Sequence, residues 1–143
     1  MPVLVQITIG STILVGCALF QIWVLSVIIS RLRSAPPLPV HGAGRRYFVR
    51  LAMIFFALLA AHTVHVYTWA IALVVIDALD GYEAPIYFAL VSYTTLGYGD
   101  LTLTPDFRIL GAFSAVTGIL SFGLSTAFLV GYFTNAHKPW SDE

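Results

Sequence analysis

Ser92-Tyr93-Thr94-Thr95-Leu96-Gly97-Tyr98-Gly99-Asp100 is the stretch on which the fold turns, because of what surrounds it. Before it lies a short apolar piece, 85–94, and after it an apolar run, 109–133. A loop with apolar flanks on both sides must dip into a membrane. Non-helical backbone is tolerated at that depth only where it lines a water- or ion-filled path or is buried in protein. Two glycines alternate with Leu96 and Tyr98. Glycine admits positive φ, so successive carbonyls can be turned to one side. Such a row, repeated around an axis, can replace the hydration shell of a cation.

Working outward, the composition agrees. Of 143 residues 59% are hydrophobic and 10% charged, where a soluble domain carries about 25% charged residues. The formal net charge of zero and the lack of any nucleic-acid motif exclude a basic nucleic-acid face. Three apolar stretches, 3–29, 48–76 and 109–133, each suffice for a helix across ~30 Å of hydrocarbon, which takes roughly 20 residues. The piece 85–94 is about half that length and reads as a re-entrant or buried helix. The first stretch has no basic residue before it and is too long for the apolar region of a signal peptide, so it reads as an intact transmembrane helix. Cys17 is the single cysteine and has no intrachain partner.

Charge sets the expected orientation. Arg31, Arg33, Arg45, Arg46 and Arg50 lie in or beside the link between the first two long helices, and Lys138 follows the third. The positive-inside rule then places the link and the C-terminus in the cytoplasm and the N-terminus outside. Pro36, Pro37, Pro39, Gly42 and Gly44 make the link, 31–47, irregular. Asp77, Asp80, Glu83, Asp100 and Asp106 fall on the outer side against one base, Arg108, and four copies of that surface would concentrate cations by their field. The third long helix has Thr104 placed as N-cap, Pro105 at its first position and Asp106 in its first turn. It ends near 131–135, with Pro139 beyond.

Thr95-Leu96-Gly97-Tyr98-Gly99, with Thr94 before it and Asp100 after it, resembles the signature of the potassium channel family. Gly118-Ile119-Leu120-Ser121-Phe122-Gly123-Leu124 is similar to the inner helix of small bacterial potassium channels. The resemblance covers about the last 95 residues. The first helix is an addition to that two-helix pore. The resemblance implies an all-α membrane protein with three transmembrane helices, a re-entrant pore helix and a selectivity-filter loop, assembled as a homotetramer. Residues 1–47 would form the N-terminal helix and basic link. Residues 48–143 would form the pore domain, with outer helix 48–76, pore helix 85–94, filter 95–99 and inner helix 105–134. It further implies that the carbonyls of Thr95, Leu96, Gly97 and Tyr98 and the Thr95 hydroxyl form the K+ sites, with the Gly99 carbonyl at the outer mouth. Tyr98 would pack behind the filter, with Tyr87 and Phe88 as an aromatic cuff. Tyr87 either bonds Asp100 or stands as an interfacial tyrosine. Leu96 replaces a β-branched residue, which bears on filter stability and inactivation. K+ is the permeant ion; no cofactor, further metal, nucleic acid or soluble ligand is implied, and the localisation is the plasma (inner) membrane, multi-pass, of a prokaryote.

A lone filter strand would face lipid with unsatisfied carbonyls, at several kcal/mol each. Four copies resolve this, and Gly111, Ala112, Ser114, Ala115, Gly118, Ser121, Gly123, Ser125 and Ala127 give the third long helix small-residue faces for close contact. Gly118 resembles the family's hinge glycine, with close helix packing as the other reading. Ile119, Phe122, Thr126 and Val130 follow helical spacing and could line the cavity and an inner constriction. His62 and His65, three apart on the second helix, stand as pH sensors, as metal ligands with a third group, or as neutral imidazoles bonded to the flanking helices through Ser11, Thr12, Gln21 or backbone. His41 and His137 are alternative sensors. Every Arg lies in a link or at a helix end, which excludes a voltage sensor. The first helix is expected outside the outer one. A non-conducting partner subunit and a weakly selective cation channel are the competing readings, and the loop lacks the Lys-Ser or Lys-Thr of a phosphate-binding loop.

Overall fold

The computed structural model describes residues 1–34 and 43–136. The centre of the expected irregular link, His41, His137, Lys138 and Pro139 lie outside the described residues. Four helices follow in order: α1 (Val3–Arg33), α2 (Ala43–Val75), α3 (Glu83–Tyr93) and α4 (Arg108–Ala136). Among the described residues there is no strand. Three helices, α1, α2 and α4, are long and apolar enough to cross a membrane. The 11 residues of α3, rising about 1.5 Å each, make roughly half that span.

The helices outrun the apolar runs that announce them. α1 continues through Arg31 and Arg33, and α2 begins at Ala43 rather than at 48, taking in Gly44, Arg45 and Arg46. Helical hydrogen bonding continues into polar sequence once the chain leaves the apolar layer. At its far end α2 closes with a Schellman motif. Asp77, at φ 57, supplies the left-handed turn, its amide bonds the Val74 carbonyl at 3.0 Å, and the Ala78 amide bonds Leu73 at 3.0 Å.

The start of α4 corrects the expected local cap. The helix begins at Arg108, three residues after Pro105, and residues 105–107 form a turn closed by Phe107 N–H to the Thr104 carbonyl at 2.9 Å. The orphan amides of Ile109 and Leu110 instead donate to Oε1 of Gln6 on α1, at 3.2 and 3.4 Å. Gln6 is 1% exposed. A buried side chain from another helix thus does the work of an N-cap.

That contact also places α1. It does not sit outside α2; it lies against both α2 and α4. A methyl on Gly10 would press into the Phe113 ring, so the two backbones approach closely there. Further along, Ile28 packs with Ile54 and Leu58 of α2 and, around them, Phe128 and Leu129 of α4. In the other half of the molecule α3 enters the core: Val66, Trp69 and Ala70 of α2 meet Ala89 and Tyr93 of α3 and Leu110 of α4. The hydroxyls of Thr8, Thr12, Ser26, Thr63, Thr68 and Thr117 each bond the carbonyl four residues back, which satisfies them within their own helix. Outward faces carry exposed Leu19, Trp23, Phe55, Phe56 and Ile71, as a surface against hydrocarbon requires.

Candidate functional site

The loop from Thr94 to Asp100 leaves the C-terminal end of α3 and is exposed throughout. Its backbone has a repeat of two. Thr95, Gly97 and Gly99 have φ of 59, 55 and 78, while Leu96 and Tyr98 do not have positive φ. A β-branched residue in the left-handed region is a steric outlier, so Thr95 is held there by its surroundings. The amides turn inward: Thr94 N–H bonds Leu90 at 3.0 Å, Thr95 N–H bonds Ser92 at 2.9 Å, and Gly97 N–H bonds Val91 at 3.2 Å. Among the described residues the carbonyls of 95–99 accept no hydrogen bond, and neither does the Thr95 hydroxyl enter one. The amides of Thr94, Thr95 and Gly97 thus turn back to α3, while the carbonyls stand unbonded.

Two contacts brace the loop. Tyr87 Oη donates to Oδ2 of Asp100 at 2.6 Å. The bond favours ionised Asp100 and holds its carboxyl below the ordinary range; the same bond first, and the neighbouring negative charge, push the Tyr87 phenol up. Thr94 Oγ1 bonds the Leu90 carbonyl at 2.7 Å, fixing the joint between α3 and the loop. Phe88 packs toward Gly111. Beside the loop a groove of about 860 Å³ is walled by Phe88, Ser92, Thr95, Gly97, Arg108 and Ala112, among others. Tyr98, 68% exposed, has no ring partner among the described residues.

The residues singled out on α4 divide. Gly118 lies where α4 passes the end of α3, and a Cβ there would overlap the carbonyl of Tyr93. α4 runs unbroken through it. Ile119, Thr126 and Val130 are exposed. Phe122 shares their stripe, yet its ring stacks on His62, with centroids 4.4 Å apart and planes at 22°.

The two histidines are brought together by a residue that sequence reasoning passed over. Tyr93, buried at the end of α3, has its hydroxyl 2.7 Å from His62 Nδ1 and 3.0 Å from His65 Nδ1. His62 Nε2 lies 3.1 Å from Ser125 Oγ on α4, and Gln21 Nε2 of α1 donates to that oxygen at 3.0 Å. Gln21, named beforehand as a partner, is thus one bond removed. Ser11 is not among the partners, and Thr12 is bonded within α1. Among the described residues no group of three His, Cys, Asp or Glu could hold a metal ion. The signal for Tyr93 was its place, a phenol at the buried end of a short helix opposite two intramembrane imidazoles.

No curated protein and no solved structure matches the chain. Residues 52–135, more than half of the chain, match the family model described as Ion channel. The match takes in most of α2, all of α3, the loop and nearly all of α4, and leaves α1 outside. With three helices able to cross a bilayer and a short helix leading into a loop of unbonded carbonyls, this is a multi-pass membrane protein, and the chain belongs to the ion-channel family.

Proposed function

We propose that the chain is one subunit of a potassium-selective channel, in which four copies set their 95–99 loops around a common axis as the selectivity filter. The observation that carries this reading is the alternation of positive φ at Thr95, Gly97 and Gly99, with the Thr95 and Gly97 amides bonded back to α3 and the carbonyls free of bonds among the described residues. Free carbonyls at membrane depth are unfavourable by several kcal/mol each unless something replaces water. A dehydrated cation does so, and a ring of carbonyls from four copies completes its shell. In this arrangement Thr95, Leu96, Gly97, Tyr98 and the Thr95 hydroxyl coordinate K+, and Gly99 opens to the outer mouth. Passive conduction needs no further chemistry from the chain.

Four copies also account for surfaces left open in one. The unpartnered Tyr98 ring and the groove beside the loop suit each other across neighbouring subunits. α3 becomes a re-entrant pore helix whose C-terminal, negative dipole end favours a cation in the cavity. Ile119, Thr126 and Val130, with the free edge of Phe122, line that cavity on α4, and an apolar ring there gates by dewetting. Bending at Gly118 would require α4 to part from the Tyr93 carbonyl. The acidic end, with Asp77, Asp80, Glu83, Asp100 and Asp106, faces outward, and the arginine end faces the cytoplasm.

The test is ion flux through purified protein in liposomes loaded with potassium or with sodium, beside a Gly99→Ala sample. Alanine at φ 78 is strained by roughly 1–2 kcal/mol, enough to disturb the carbonyl row. Rapid potassium flux, little sodium flux and loss in the variant are expected. Equal flux of both ions would replace this reading with a weakly selective cation channel. No flux from a verified tetramer would replace it with a non-conducting subunit.

A further inference from the structure

A cleft of about 280 Å³ opens between α1 and α2. The sequence of α1 makes it. Gly16 has no side chain and Cys17 a short one, and they leave a notch between Ile13 and Phe20, each about a turn away. A methyl group on Gly16 would meet nothing within 4 Å. Across the notch stand Val64, His65 and Thr68 of α2. Gly16 and Val64 are exposed, whereas Cys17 and His65 are buried. The cleft thus has an open, apolar mouth and a floor that carries an imidazole 1% exposed.

That imidazole is half satisfied. Nδ1 lies 3.0 Å from the Tyr93 hydroxyl of α3, so the other edge of the ring is turned to α1. There Phe20 meets it edge-on, with centroids 5.7 Å apart, and the Cys17 backbone stands beside it. Nε2 has no hydrogen-bond partner among the described residues. Thr68 gives its proton to the Val64 carbonyl. A buried polar nitrogen left unbonded in hydrocarbon is unfavourable, and the surroundings restrict what can bond it. A water there needs two to four polar partners, which the apolar walls do not provide. An acyl chain has no polar atom to give. Phospholipid headgroups lie at the edge of a hydrocarbon layer ~30 Å thick, while His65 sits ten residues before the end of α2 at Val75, about 15 Å inside. A hydroxyl on an apolar body meets every condition. It crosses the bilayer uncharged, and it both donates and accepts, so it bonds Nε2 in either tautomer.

We propose that the cleft between α1 and α2 is a binding site, entered from the lipid, for a small uncharged alcohol or phenol whose hydroxyl bonds His65 Nε2. A cavity of about 150 Å³ holds benzene, so this one accommodates a body of roughly six to ten carbons. Half of the site belongs to α1, which lies outside the matched family region. Binding there requires nothing of ion conduction.

Photolabelling of the whole chain in lipid nanodiscs tests the site. One sample receives a diazirine derivative of octanol, a second the matching derivative of octane, and the adducts are mapped by peptide mass spectrometry. The alcohol is expected to label 13–20 and 64–68 saturably, on the order of tenfold above the hydrocarbon, and excess benzyl alcohol should displace it. Gly16→Phe, which places a ring where a Cβ meets nothing, should lose that labelling. His65→Phe keeps a ring but no nitrogen and should fall to the level of the hydrocarbon; if it does not assemble, Gly16→Phe decides alone. Imidazole ¹⁵N shifts of the wild-type protein give a measurement that needs no variant: benzyl alcohol should move His65 Nε2 and the movement should saturate. Equal labelling by both probes overturns the proposal and leaves a plain lipid-facing groove. Absence of labelling by either probe overturns it too, and assigns the cleft to a second copy of the chain. A His65 Nε2 shift unmoved by benzyl alcohol overturns the bond on which the site depends.

Discussion

Replacing Gly118 by alanine adds one methyl group where α4 crosses the end of α3. The added Cβ would overlap the Tyr93 carbonyl oxygen and lie 2.8 Å from its carbon and 3.3 Å from its Cα, where carbon atoms rest at about 3.5–4.0 Å. All three atoms are backbone, so no side chain can swing aside and the two helices must separate. Overpacking of this kind costs about 1–3 kcal/mol, and a clash with backbone belongs at the upper end. Alanine returns about 1 kcal/mol through its better helix propensity. The net loss is about 2 kcal/mol, up to ~30-fold in the folding equilibrium. Gly16→Ala on α1 is the matched control, because nothing lies within 4 Å of its Cβ position; only the propensity gain of up to ~1 kcal/mol remains. Both are read by denaturant or thermal unfolding of the purified protein in one detergent. Opposite signs are expected for the same chemical change. A Gly118→Ala protein as stable as wild type refutes the packing argument and returns the residue to a purely hinge role.

Three further outcomes follow from the packing and the loop. Leu110, fully buried where α2, α3 and α4 meet, should cost about 2–5 kcal/mol as Leu110→Ala in the same unfolding assay. Gln6→Ala strands two amides of α4 and should cost about 1–2 kcal/mol, whereas Gln6→Glu keeps an acceptor oxygen at a helix N-terminus and retains most of the stability. Tyr87→Phe removes the brace on Asp100 and should speed the decay of current in planar bilayers. The pH window follows from the two shifts. Asp100 is depressed below 3.8, so its contribution is complete above that value and is lost as pH falls through the lowered one. Tyr87 is raised above 10.0, so its contribution is complete below that value and is lost as pH rises through the raised one. Wild-type current decay constant between those limits, and approaching that of Tyr87→Phe below the lower limit and above the upper one, is the expected result.

The helical architecture could be read from sequence because apolar runs of membrane length are a composition signal that needs no tertiary information. The loop could be read because glycine spacing between apolar flanks is likewise local. Helix ends were less legible. Arg45 and Arg46 look like link because they are charged, yet α2 already includes them. Thr104 looks like a cap, yet Gln6 supplies it from 103 residues away, a partnership no local pattern records. Tyr93 was hidden differently. Its ring could only be recognised as the hub between His62 and His65 once α3 was seen to end against α2. Gly118 carried two readings in sequence, and the Tyr93 carbonyl beside it supplies the packing one.

The most direct test of a potassium-selective filter is a reversal potential with potassium on one side of a planar bilayer and sodium on the other. Currents through the wild-type protein should reverse far toward the potassium equilibrium potential. They should lose that displacement when Gly97 or Gly99 is replaced by alanine in a protein that still assembles. Reversal near zero in wild type would contradict the account, because a filter built from carbonyls at Thr95, Leu96, Gly97 and Tyr98 would then not tell the two ions apart.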